Sequence, residues 1–86
     1  MIMAGTERFL ILEDDAAFAQ GLGEVLAPLG QTRFTMYPER LGEIIADFKP
    51  TLLIEDYNLN HPTMNGIKAT RIVRQNPESN LLPVLL

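Results

Sequence analysis

Two short apolar runs, each ending in consecutive acidic residues, constrain this chain more than any other feature. The first is Phe9-Leu10-Ile11-Leu12, followed by Glu13, Asp14 and Asp15. The second is Thr51-Leu52-Leu53-Ile54, followed by Glu55 and Asp56 and then by Tyr57-Asn58. An uninterrupted apolar run of this length reads as a strand buried on both faces, as parallel strands are. In open α/β sheets, ligands bind beyond the carboxyl ends of the strands. Placed side by side, the two strands gather Glu13, Asp14 and Asp56 at one edge. Two carboxylates ~5 Å apart repel by roughly 3 kcal/mol at an effective dielectric of about 20. A cluster of three therefore raises a pKa or recruits a cation.

The rest of the chain supplies the elements such a sheet needs. A helix is expected from about Ala16 to Leu29, with Phe18, Leu22, Val25, Leu26 and Leu29 on one face. Asp15 is suited to its N-cap and Gly30 to its C′ position. A weaker strand follows at about Thr32 to Met36; Phe34 and Met36 alternate with Thr35, as on an edge strand, and Pro38 ends it. Leu41, Ile44, Ile45 and Phe48 mark a short helix that Lys49-Pro50 breaks. The second acid-tipped strand is followed by a loop, Asn58 to Met64, and a helix from about Gly66 to Arg74 with Asn65 as N-cap. Asn76 to Asn80 reads as a turn, and Leu81 to Leu86 as the start of a further strand. The order β-α-β-α-β-α-β, with these crossover lengths, is that of a doubly wound parallel α/β sheet in one domain over 1–86.

Composition narrows the partners. With 7 basic and 11 acidic residues the net charge is −4, which argues against a main role in binding nucleic acid or an anionic membrane. The chain has no cysteine, so no thiolate site and no disulfide framework, which fits a reducing compartment. The first residues have neither the basic nor the apolar region of a signal peptide. These features lead us to expect a soluble cytoplasmic domain. Hard oxygen donors without neighbouring His or Cys select Mg²⁺ or a similar cation. A carboxylate beside such a cation can attack a phosphoryl group and form an aspartyl-phosphate. Asp56 is best placed for that, because it closes the central strand and has the other acids across the sheet.

Four segments then carry a family resemblance. Phe9 to Asp15, Lys49 to Leu59, Met64-Asn65-Gly66-Ile67 and Leu82 to Leu86 resemble, in order, parts of a response-regulator receiver domain from two-component signalling. They match its first strand and acidic pair, its phosphoacceptor strand, the turn that opens its third helix, and its fourth strand. Gly30 also falls at the spacing the family shows after its first helix. The resemblance implies a flavodoxin-like sheet of order 2-1-3-4, incomplete at the C-terminus. It implies that Asp56 is the phosphoacceptor, that Asp14 binds Mg²⁺ directly, that Glu13 holds it through water, and that Asn58 offers a backbone carbonyl. Asp15 is given no ligand role. The implied donor is a sensor histidine kinase or a phosphotransfer protein, and the implied role is regulatory rather than enzymatic.

Two departures from the family stand out. The stretch from Asp56 to Gly66 is longer than the family's commonest spacing. The hydroxyl residue after the fourth strand, the phosphate-binding lysine and the last two helices would fall beyond Leu86. Two alternatives follow from the residues. A phosphorylation-independent interaction module on the same scaffold would keep the fold without the chemistry. A haloacid-dehalogenase-like phosphatase would need an Asp two residues after the nucleophile, where this chain has Asn58. The apolar run Leu81 to Leu86 reads as an exposed strand edge, so the chain is expected to be a piece of a longer protein or a homodimer joined through that edge. Glu55 is expected as a solvated or paired neighbour, His61 as a surface loop residue, Phe18 and Met64 as core, and Arg71 and Arg74 as a solvated helix face.

Overall fold

The first apolar run forms the strand on which the sheet is built. In the computed structural model, which describes residues 6–56 and 65–85, β1 spans Glu7–Leu12 and pairs with a parallel strand on each side. Phe9, Leu10, Ile11 and Leu12 are all buried, which is why this stretch is apolar without alternation. The other elements are α1 (Ala16–Leu26), β2 (Gly30–Thr35), α2 (Leu41–Phe48), β3 (Leu52–Glu55), α3 (Gly66–Gln75) and β4 (Val84–Leu85). The four strands are parallel and lie in the order β2-β1-β3-β4. The chain thus moves outward from β1 to β2, crosses back over β1 to β3, and continues to β4. The reversal falls between β1 and β3, so a crevice opens beyond their carboxyl ends.

The two faces of the sheet are covered unequally. On one face Leu10, Leu12 and Leu53 pack with Leu41, Ile45 and Phe48 of α2, Ala69 and Val73 of α3, and Leu82. The spacing expected for α2 is met residue for residue, with Ile44 packed against the same cluster. Its end is sharp because Lys49 adopts the left-handed conformation, φ 53°, and Pro50 follows.

The other face carries α1 alone among the described residues, and here the expected helical face is corrected. Phe18, Val25 and Leu29 are exposed. The stripe turned towards the sheet is Ala19, Leu22, Gly23 and Leu26, of which Ala19 is fully buried. Small residues let the helix lie close: a Cβ on Gly23 would stand 3.2 Å from the Thr32 hydroxyl. Size, not spacing, selected the contact face, so Phe18 is not core.

Three boundaries also differ from expectation. The helix proper stops at Leu26, and Ala27–Leu29 forms a single 3-10 turn around Pro28. Gly30 does not serve as a left-handed cap. It is extended and opens β2 opposite Glu7, where an added Cβ would fall 2.0 Å from the Glu7 carbonyl oxygen. In β2 the alternation has the opposite phase, with Thr35 buried and Phe34 partly exposed. The Thr35 hydroxyl is satisfied by the Tyr37 amide at 3.1 Å. Finally, β4 is only Val84–Leu85, because the turn runs on through Leu81 and Pro83 cannot donate to a ladder.

Candidate functional site

The crevice is built by strand ends and two helix caps. Leu12 is the last residue of β1, and the next amide, Glu13 N–H, donates to the Thr35 carbonyl of β2 at 3.1 Å. On the other side, the Asp56 N–H donates to the Leu12 carbonyl at 3.1 Å. These two bonds extend the ladder by one residue and fix the chain just where the acids begin. Asp15 then turns the chain into α1 by accepting from the Phe18 amide at 3.1 Å, the N-cap role expected of it. Asn65 caps α3 in the same way, through the Lys68 amide at 3.0 Å.

The result is a group of three half-buried acids. Glu13, Asp14 and Asp56 each offer a carboxylate oxygen, and these oxygens lie within 4.8 Å of one another. Glu13 is held above its ordinary pKa, first by burial and then by the charges of Asp56 and Asp14, although the Asp15 amide pulls the other way. Its site thus disfavours the naked anion and would release that penalty to a cation. The donor set suits a hard ion. Mg–O distances of ~2.1 Å place ligand oxygens about 3–4.2 Å apart in an octahedron, and Mg²⁺ keeps several of its waters. A cluster of this spread can supply one or two direct oxygens and leave the remainder to water-mediated contact. The sheet edge therefore brings together the three acids that sequence pattern selected, while Asn58, His61 and Met64 lie outside the described residues. Beside the acids, an open cleft of about 440 Å³ runs past Ile11, Phe18, Leu22, Ile54 and Leu85 to Asp56.

Glu55 is the residue the sequence reading undervalued. It is only 3% exposed and shares an inward face with fully buried Leu53. The Thr70 hydroxyl of α3 meets the Glu55 Oε1, and the same hydroxyl lies 2.9 Å from the Gly66 carbonyl oxygen. Glu55 Oε2 is buried and has no hydrogen-bond partner among the described residues. Burial pushes the Glu55 carboxyl above its usual range, against opposing effects of Thr70 and the Arg74 charge. A threonine hydroxyl has one hydrogen. That hydrogen is shared between the Glu55 carboxylate oxygen and the Gly66 carbonyl oxygen, both of which accept from Thr70. The signal was in the strand period: residues 53 and 55 point the same way. On α3, Arg71 is exposed as expected. Arg74 is exposed but also donates to the Leu82 carbonyl at 2.5 Å, tying the helix to the start of β4.

No protein-family model and no curated protein matches the chain. Solved structures do. The N-terminal domain of a response regulator receiver protein from Methanoculleus marisnigri superposes with a TM-score of 0.82 at 16% identity, covering 93% of this chain and 64% of that one. The fold is that of a response-regulator receiver domain. The chemotaxis response regulator CheY4 of Vibrio cholerae gives 0.78 at 16% identity, over 91% of this chain and 64% of its own. The anti-anti-sigma factor PhyR from Bartonella quintana gives 0.75 at 22%, over 91% of this chain and 31% of its own. The chain therefore spans less than two-thirds of the length of these structures. The receiver fold, with its sheet order 2-1-3-4, agrees with expectation. Among the described residues, no helix is long and apolar enough to cross a membrane.

Proposed function

We propose that this chain is a phosphoacceptor module of two-component signalling, in which Asp56 receives a phosphoryl group and Mg²⁺ is held by Glu13, Asp14 and Asp56. The observation that carries this reading is the convergence of those three carboxylates at the switch point between β1 and β3. Asn58, two residues beyond Asp56, is proposed to add its backbone carbonyl. A bound Mg²⁺ would supply positive charge against the oxygens of the transferring phosphoryl group. The chain's own residues do the rest. An Asp56 carboxylate oxygen attacks phosphorus in line, an O–P bond forms, and the P–N bond of a phosphohistidine donor breaks. The leaving imidazole takes up a proton. Glu13 and Asp14 would hold the cation that offsets the negative charge of Asp56 and of the donor, and the Asp56 N–H bond to the Leu12 carbonyl holds the nucleophile at the crevice.

The donor under this reading is a sensor histidine kinase or a phosphotransfer protein, in the cytoplasm, and the role is regulatory. The test is beryllofluoride, a phosphoryl mimic, added with Mg²⁺ and followed by NMR. Shifts centred on Asp56 are expected in the wild type and not in Asp56→Asn. Identical spectra with and without the reagent would overturn the reading. A second reading, an interaction module that works without phosphorylation, is favoured by the apolar side chains exposed on α1 and at Leu85. A homodimer joined at the β4 edge would cover part of that surface.

A further inference from the structure

A carboxyl group inside an apolar face is costly, and where one persists it fixes something. Glu55 stands on the inward face of β3 beside Leu53, and among the described residues one of its oxygens has no partner there. Its partner Thr70 reaches at the same time to the carbonyl of Gly66, the first residue of α3. One hydroxyl thus ties together the last residue of β3 and the first residue of the following helix. These are the two ends of the connection that begins at Asp56. The Asp56 backbone has a second anchor at the Leu12 carbonyl. Successive strand side chains point to opposite faces. Pinning the side chain of residue 55 inward therefore fixes the direction in which residue 56 leaves the strand.

We propose that Glu55 and Thr70 form a positioning clamp that sets how Asp56 presents its carboxylate to Glu13 and Asp14. The proposal rests on the reading of Asp56 as the centre of the site. Neither clamp residue touches the reacting atoms; both act through Asp56. Groups that orient metal ligands typically affect metal affinity by ~10–100-fold when removed, so the clamp should be visible without any phosphoryl donor.

The test compares Thr70→Val, Thr70→Ser and Glu55→Leu with the wild type. Two quantities are read: amide hydrogen exchange at Asp56 against that at Leu53, and the Mg²⁺ dissociation constant. Leu53 donates to the Pro83 carbonyl at 2.9 Å, on the β4 side of the same strand, and reports whether β3 as a whole has loosened. In Thr70→Val and Glu55→Leu, Asp56 protection is expected to fall about tenfold more than Leu53 protection, as for a local opening. The Mg²⁺ dissociation constant is expected to rise by roughly tenfold. Thr70→Ser keeps the hydroxyl and should keep both wild-type values. Glu55→Leu removes the buried carboxyl and should be at least as stable to urea as the wild type, so weaker Mg²⁺ binding in that variant cannot be assigned to unfolding. Parallel changes at Asp56 and Leu53 in both disrupting variants would overturn the clamp. If the wild type binds no Mg²⁺, the metal reading fails while the exchange comparison still decides the clamp.

Discussion

Glu55 carries its carboxyl group into the sheet face that Leu53 and Val73 keep dry. Its pKa is raised chiefly by burial, so the folded state binds that proton more tightly than the unfolded chain does. The associated stability is complete below the ordinary value of 4.5 and is lost as pH rises through the higher folded value. Arg74, the cation acting on the group, opposes the shift. Without divalent metal, Glu55→Gln should therefore gain stability relative to the wild type between pH 4.5 and 7, read from urea midpoints. A difference between the two proteins that does not change with pH would contradict this. The same residue shows what a linear reading captures at this scale. Glu13, Asp14 and Asp56 were legible because acids that close apolar runs fall where parallel strands end, at one edge of the sheet. Glu55 was not, because an acid in the middle of an acidic run looks solvated until the strand period is counted from Leu53. Thr70 carries no pattern of its own and becomes meaningful only when α3 lies against β3.

The elements owe their boundaries to a few residues whose demands are local. Asp15 and Asn65 cap as their positions foretold, since a side-chain oxygen before a helical run has one common use. The turn of α1 about its axis was less legible. Its large apolar residues mark one stripe, yet Ala19 and Gly23 mark the contact, because close approach to β2 leaves room only for small groups. The three glycines near this contact have different roles. Gly30→Ala would drive a Cβ into the Glu7 carbonyl at 2.0 Å and should cost about 3 kcal/mol. Gly21→Ala, with nothing within 4 Å, should gain roughly 1 kcal/mol from helix propensity. Gly23→Ala gains the same propensity but presses on the flexible Thr32 hydroxyl and should fall between them. Urea denaturation of the three variants checks the ranking; a destabilised Gly21→Ala or a neutral Gly30→Ala would contradict it.

Across the molecule, the strand order places β1 and β3 side by side, and among the described residues one sheet face is covered by α1 alone. The order was legible through family resemblance; composition and periodicity alone fixed only the alternation of strands and helices. Phe18 at 59% and Leu85 at 57% exposure border the crevice, and Val25 at 73% adds apolar surface farther along α1. An isolated domain of this sequence should therefore self-associate. Light scattering should show mass rising with concentration, and Phe18→Glu with Val25→Glu should reduce the rise. A well-folded monomer at all concentrations would contradict the expectation. The acids of the site come from the paired ends of β1 and β3 and not from that surface. The most direct measurement of the site's chemistry is intact mass and peptide mapping after incubation with acetyl phosphate. The expected result is a phosphoryl group on Asp56 that requires Mg²⁺ and is lost in Asp56→Asn. No adduct, or an adduct at another residue that forms without Mg²⁺, would contradict the phosphoacceptor role.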